Sequence, residues 1–147
     1  MTFPAREGIR CECPETLIKA LGKTPKEVYF ARDYLVVLDS EDEIQNLQVD
    51  LEELKKLDGF GVIVTAKGKE VDFVSRFFAP KAGIDEDPVT GSAHCTLVPY
   101  WKHRLNKTDF IALQLSKRGG KLFCKDLEDV IQISGEAVLY LEGEIQL

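Results

Sequence analysis

The sequence predicts an α+β fold in which a mostly antiparallel sheet curls around one apolar helix. Strand-like segments rich in β-branched and aromatic residues follow one another with short turns between them. Residues 90–105 form a helical pattern whose apolar side chains cover most of the circumference, which is typical of a buried helix. With 147 residues and 44% hydrophobic content, the chain fits a single domain over residues 1–147.

The first sixty residues are predicted to alternate short strands and short helices. Ser40 stands three residues before Glu43, which is the capping-box pattern of a helix start. Asp50 precedes leucines three apart, and Glu52 with Lys56 is predicted to form an i,i+4 pair there. The predicted strands cover residues 9–13, 27–31 and 34–38, with a hairpin between the last two, and the predicted helices cover residues 15–21 and 51–57.

The remainder of the chain is predicted to be β apart from the buried helix. A loop rich in acidic residues, Pro and Gly is predicted over residues 80–88. Glycine-marked turns separate several of the later segments. The predicted strands cover residues 61–66, 71–79, 110–116, 121–125, 130–134, 136–141 and 144–147.

Composition and charge exclude several classes of function. The net charge of −6 argues against nucleic acid as the main partner, since phosphate binding needs a basic face. The basic stretch of residues 117–121 is interpreted as a solvated hairpin turn. No uncharged apolar run approaches the ~20 residues of a membrane span, and residues 1–7 lack the apolar core of a secretion signal. We therefore expect a cytoplasmic protein without membrane partners.

Four cysteines, at positions 11, 13, 95 and 124, are too few for a disulfide scaffold. The spacing of Cys11 and Cys13 does not match the common zinc patterns, which leave two or more residues between ligands. Alternation instead favours a strand that buries Ile9 and the two thiols on one side. No metal site is predicted.

The segment with the clearest chemical pattern is residues 85–94, in which three adjacent acids precede a helix start. Pro88 keeps Asp87 out of helical geometry, and small residues follow, so the unpaired N–H groups of the helix start suit a carboxylate or phosphate. Helix capping by Thr90 or Ser92 explains these residue types equally well. The three acids favour function, because close like charges raise a carboxyl pKa toward the range useful for proton transfer.

A Ser-His-Asp hydrolase is the competing interpretation of the same segment, with Ser92, His94 and Asp87 as its members. Ser92 and His94 are two residues apart, so on a helix they face different directions. The chain also lacks the G-x-S-x-G elbow of such enzymes. The sequence therefore disfavours a triad.

Residues 85–97, DEDPVTGSAHCTL, closely resemble the signature of the PhzF family, the phenazine-biosynthesis-like isomerases and epimerases. The segments RFFAP (76–80), QLSKRGG (114–120) and ISGEAV (133–138) are also similar to that family, as is Glu142-Gly143. The resemblance implies a diaminopimelate epimerase-like fold, in which each of two domains is a β-barrel of mostly antiparallel strands around a central helix. The active site of such proteins lies in the cleft between the domains.

The resemblance also implies an activity and its residues. It implies a cofactor-free proton shift or epimerisation next to a carboxylate of a small metabolite, with Asp87 as the catalytic residue. It assigns substrate binding to the helix start, and the residues concerned are Thr90, Gly91, Ser92 and Ala93. Typical members are about twice as long, and the chain matches only their second half. The main acid/base glutamate belongs to the first half, which implies that this chain alone is an incomplete catalyst.

Three hypotheses remain open from the sequence. The chain could be an isomerase domain that works with a first-half partner, either a separate chain or through a rearranged assembly. It could be a non-catalytic domain that binds a small anion at residues 90–93. It could also be a split or shortened gene product without activity of its own. Coding DNA for the missing half upstream of Met1 would favour the first or third hypothesis. We also expect a homodimer, in which two copies cover the surfaces that the first half covers in the family.

Overall fold

One ten-stranded sheet forms the frame of the computed structural model, which describes residues 1–145. Four α-helices accompany it within those residues. The strands are β1 (Thr2–Pro4), β2 (Ile9–Arg10), β3 (Glu27–Phe30), β4 (Tyr34–Val37), β5 (Val62–Lys67), β6 (Phe73–Ala79), β7 (Ile84–Asp87), β8 (Asp109–Gln114), β9 (Gly120–Asp126) and β10 (Val130–Ser134). The helices are α1 (Glu15–Leu21), α2 (Glu41–Gln45), α3 (Leu51–Leu54) and α4 (Gly91–Leu105).

The strand order is β1-β10-β9-β8-β6-β5-β4-β3-β2, with β7 attached to β6. The pairings are antiparallel except β4 with β5 and β6 with β8, which confirms a mostly antiparallel sheet. The β-barrel that the resemblance implies is not closed in this chain, because the end strands β1 and β2 do not pair. Residues 5–8 join these two strands, and the amide of Arg6 donates to the carbonyl of Cys95 on α4 (2.9 Å) instead of to a neighbouring strand.

Two apolar cores cover the two faces of the sheet. Helix α4 lies in the first core, where the rings of Phe73 and Trp101 stack with centroids 5.8 Å apart. The short helices α1, α2 and α3 contribute to the second core on the opposite face, with Leu17 and Ile44 fully buried. Side chains of β6 alternate between the two faces of the sheet and contribute to both cores, since Phe73 belongs to the first core and Val74 to the second. The predicted burial of the long helix is therefore confirmed.

Several predicted local signals are confirmed. Gly22 ends α1 in the left-handed conformation at φ 65°, which glycine adopts without a steric penalty. The Ser40 side chain accepts from the amide of Glu43 at the start of α2. Asp50 caps α3 by accepting from the amides of Glu52 and Glu53. The hairpin of β3 and β4 also forms as predicted.

Other predictions need correction. The predicted loop over residues 80–88 contains a 3-10 turn (Pro80–Ala82) and strand β7, because the chain turns back and pairs with β6. The strand predicted at residues 9–13 shrinks to the edge strand β2, where nothing covers Ile9 and its side chain is 78% exposed. Lys56 pairs with Glu53, not Glu52, because α3 is only four residues long.

The two ends of the described chain also differ from prediction. Strand β1 was not predicted, and it forms by pairing with β10, far away in sequence. The segment predicted as a strand at residues 136–141 has no strand partner in residues 1–145, and its side chains are exposed. Of the strand predicted at 144–147, residues 144 and 145 are not in a strand and residues 146 and 147 lie outside the described chain. No helix within residues 1–145 is long and apolar enough to cross a membrane.

Candidate active site at the start of the buried helix

The start of α4 is held by a network of three residues. Thr90 is the N-cap residue, yet its hydroxyl donates to Oδ2 of Asp87 (2.7 Å) and does not cap the helix. The amide of Thr90 donates to Oε1 of Gln114 (2.7 Å). Gln114 in turn donates through Nε2 to the backbone oxygen of Asp87 (2.7 Å) and to Oγ1 of Thr90 (3.0 Å). The Asp87 carboxylate is therefore fixed beside the helix start.

The N–H groups of the first turn of α4 remain open to a ligand. In the part of the chain that the structure describes, no side chain caps this helix. A Cβ placed on Gly91 would meet no atom within 4 Å beyond its chain neighbours and the helix backbone, so the space beside Gly91 is open. Ser92 is half-buried and Ala93 is buried on the same turn. Uncapped amides with the positive end of a 15-residue helix dipole behind them suit an anionic group.

The three adjacent acids have three different surroundings. Glu86 forms an ion pair with Arg76, whose Nε lies 2.7 Å from Oε1, and a second bond joins Nη2 to Oε2 at 2.9 Å. Asp87 binds Thr90, and Asp85 is exposed. Alternation along β7 sends Glu86 to the side opposite Asp87. Asp87 is therefore the acid that the fold brings to the helix start.

Arg32 reaches this site from the hairpin between β3 and β4. Its Nη2 donates to Oγ of Ser92 at 3.1 Å, although the two residues are 60 positions apart. Nη2 and Nε also donate to Oδ2 of Asp33, at 2.9 and 3.2 Å. Neither Arg32 nor Gln114 was predicted from the sequence as a site residue. Gln114 could have been found as a polar residue at an inward-facing position of β8, between Ala112 and the next turn.

His94 does not complete a catalytic triad. Its ring is fully buried, and Nδ1 lies 2.8 Å from the carbonyl oxygen of Thr90. Burial lowers the pKa of His94 to about 4, while the bond to Thr90 opposes that shift. Ser92 interacts with Arg32 and Asp87 with Thr90, so the structure does not bring the three members together. This geometry agrees with the spacing argument against a triad.

The basic stretch of residues 117–121 lies at the turn between β8 and β9, as interpreted from the sequence, although its last two residues already belong to β9. Ser116 donates to the carbonyl of Pro88 (2.8 Å) and so attaches the turn to the segment of Asp87. A Cβ on Gly120 would lie 2.3 Å from Cγ2 of Val89, so only glycine permits this close packing. The exposed Lys117 and Arg118 line an open cleft next to the acidic strand β7.

Neither the thiols nor the acids in the described chain form an evident metal or redox centre. No group of three or more His, Cys, Asp or Glu side chains in residues 1–145 is placed to hold a metal ion. Burial raises the pKa of Cys95, and it raises the pKa of Cys124 to about 12. Both thiols therefore stay protonated near neutral pH and behave as small core residues.

The fold and the site define an α+β domain in which a carboxylate is held at the open start of a buried helix. Comparison with known proteins shows the family to which the chain belongs. The sequence pattern of the phenazine biosynthesis-like (PhzC-PhzF) family matches residues 7–143, and the chain belongs to that family. The resemblance of residues 85–97 to the PhzF signature is thereby confirmed.

Relatives in several organisms support the same assignment. A protein of Pseudomonas aeruginosa named as an uncharacterized isomerase is 47% identical over all of this chain and 57% of its own length. The mouse phenazine biosynthesis-like domain-containing protein 1 is 39% identical over 89% of this chain and 52% of its own. The crystal structure of a PhzF family protein of Enterococcus faecalis superimposes with a TM-score of 0.93 at 46% identity, over all of this chain and 57% of that one. This chain therefore spans little more than half the length of these relatives.

Proposed function

We propose that this chain is an isomerase domain that shifts a proton, without a cofactor, next to the carboxylate of a small metabolite. The observation that carries the proposal is the placement of the Asp87 carboxylate beside the uncapped start of α4. The proposal assigns substrate binding to Thr90, Gly91, Ser92 and Ala93. It also assigns the sheet and α4 to the diaminopimelate epimerase-like architecture, with the sheet left open between β1 and β2.

The geometry suggests how the proton moves. The substrate carboxylate binds at the amides of Gly91 and Ser92, which brings the neighbouring C–H group to Asp87. Oδ2 of Asp87 accepts from Thr90, whereas Oδ1 accepts from no residue in the described chain and is available as the base. The proton moves from carbon to Oδ1, and the electron pair moves into the substrate carboxylate. The helix amides stabilise the extra negative charge that develops there.

A second group must complete the reaction by delivering a proton at the new position or on the opposite face. In the proposal this group comes from outside the described residues, because the chain spans 57% of its bacterial relative. A separate first-half chain or a second copy in a homodimer could supply the covering surface. The exposed apolar run Val138–Leu141 supports association, since its side chains are 79 to 98% exposed.

The proposal places this reaction in a cytoplasmic biosynthetic route. The four cysteines are all free, and Cys11 and Cys13 are half-buried, which fits a reducing compartment. The net charge of −6 fits a small metabolite better than a nucleic acid as the ligand.

Deuterium incorporation tests the proposal. This chain is joined to the first half of the Pseudomonas aeruginosa relative, and small carboxylates with an acidic C–H bond are incubated with the chimera in heavy water. We expect the chimera to exchange one carbon-bound hydrogen for deuterium. Asp87→Asn removes the base and should reduce the rate of this exchange ~10²–10⁴-fold. Asp85→Asn, which changes an exposed acid two residues away, is the matched control and should leave the rate unchanged. Equal exchange in Asp87→Asn and the parent chimera would remove Asp87 from the mechanism.

A further inference from the structure

We propose that Arg32 is the residue that binds the substrate carboxylate at the start of α4. This inference rests on the proposed function and names the side chain that recognises the substrate. It starts from an arginine that is fixed in place by its neighbours and still has part of its guanidinium unused.

A buried carboxylate holds the guanidinium of Arg32 on one side. Asp33 is completely buried, and among the described residues its carboxylate accepts only from Arg32. An unpaired buried carboxylate is strongly unfavourable, so Asp33 and Arg32 constrain each other. The ring of Phe60 packs against the guanidinium, 4.6 Å from its central carbon. Arg32 is therefore pre-oriented before any ligand arrives.

The remaining edge of the guanidinium faces the open helix start. Nη2 lies 3.1 Å from Oγ of Ser92, the second residue of α4. Nη1 donates to no residue in the described chain, and the side chain is 38% exposed. A carboxylate at the helix start can therefore accept from Nη1 and from the amide of Gly91 together. Charge-assisted bonds of this kind are about twice as strong as neutral ones.

Arg76, a second arginine near the site, has a purely structural role. Arg76 donates from Nε and Nη2 to Glu86 and from Nη1 to the carbonyls of Ile44 and Leu47. All three of its nitrogens are thus used within the protein, and its side chain is only 14% exposed. Arg32 differs because its Nη1 donates to no residue in the described chain and lies where the helix amides are also unpaired.

The test compares acetate affinity in variants of this chain, followed through the amide signals of residues 91–93. Removing Arg32 alone would leave Asp33 buried without a partner, so the principal variant is Arg32→Gln combined with Asp33→Asn. Arg32→Lys keeps the charge and loses the planar fork. Arg104→Gln is the matched control, because Arg104 also pairs with a carboxylate (Glu27) and lies over a ring, at the other end of α4.

We expect acetate affinity to fall about tenfold in the double variant and several-fold in Arg32→Lys. Arg104→Gln should bind acetate as the parent does. If acetate shifts the amides of residues 91–93 equally in the parent and in both Arg32 variants, the anion site stands and the role of Arg32 is wrong. If acetate shifts no amide of residues 91–93 in the parent chain, both the proposed function and this inference are wrong. Should the double variant not fold, Arg32→Lys decides by the same criterion.

Discussion

The Nε2 atom of Gln114 donates to the backbone oxygen of Asp87 at a distance of 2.7 Å, and this bond links β8 to the acid of the candidate site. The same side chain accepts from the amide of Thr90 through Oε1. Gln114 is 1% exposed, and both of its polar side-chain atoms are hydrogen-bonded inside the protein. The position of Asp87 therefore depends on a residue 27 positions later in the sequence.

Replacing Gln114 by leucine should both destabilise the fold and displace Asp87. The change leaves the amide of Thr90 and the carbonyl of Asp87 without their partner, and each unsatisfied buried group costs about 1–3 kcal/mol. Chemical denaturation measures the loss in the free energy of unfolding. Gln132→Leu on β10, an exposed glutamine on the same sheet, is the control and should have little effect. Equal stability of the two variants would show that the network does not hold the helix start.

Replacing Gly91 by alanine should stabilise the fold and at the same time weaken acetate binding. Gly91 does not have a positive φ and a Cβ there meets no atom beyond its chain neighbours and the helix backbone, so the change should raise the free energy of unfolding by up to ~1 kcal/mol. The methyl group adds bulk beside the open amides of the first turn and should weaken acetate binding. Thermal unfolding and an acetate titration measure the two effects. Unaltered acetate affinity would place the ligand elsewhere.

The buried His94 should make folding stability depend on pH. Its pKa is lowered from 6.5 to about 4 in the folded chain, so protonation favours the unfolded chain. The stabilisation is fully present above pH 6.5 and is lost as the pH falls from 6.5 toward 4, by ~3 kcal/mol in all. Unfolding measured from pH 7 to pH 4 should show this loss in the parent and less of it in His94→Gln. His103→Gln, at an exposed site, should follow the parent; identical profiles for both variants would contradict the assignment.

The apolar tail should mediate association of the chain. Leu139 and Leu141 are each 79% exposed, so replacing both by serine should leave the stability of a monomer unchanged. We expect light scattering at micromolar concentration to show a dimer for the parent and a monomer for the double serine variant. Leu127→Ser, at an exposed apolar residue outside the tail, should remain dimeric. A 16.5 kDa monomer for the parent chain, or a dimer that persists in the double serine variant, would contradict association through residues 138–141.

Local patterns predicted the parts of the fold that depend on local physics. The all-round apolar pattern of residues 90–105 predicted the buried helix, and the acceptors at Ser40 and Asp50 predicted two helix starts. Strands β1 and β7 were not predicted, because β1 contains Pro4 and β7 contains three acids. They form because β1 pairs with the distant strand β10 and β7 pairs with the neighbouring strand β6. The pattern of residues 136–141 is strand-like, but a strand needs a partner, and the described chain supplies none.

In the candidate site too, some residues could be predicted from local sequence and others could not. Asp87 and the helix start lie within one continuous segment, so their proximity could be predicted from the order of the residues. Arg32 and Gln114 reach the site from other strands, and only the register of the sheet brings them there. The pairing of Glu86 with Arg76 was equally invisible, because it depends on the return of β7 along β6.

An NMR titration of the parent chain shows whether the start of α4 binds a carboxylate beside Asp87. Acetate and its uncharged analogue acetamide are added at constant ionic strength while all backbone amides are followed. We expect acetate to shift the amides of Gly91, Ser92 and Ala93, and acetamide to shift them far less. Acetate shifts confined to other parts of the chain would contradict it.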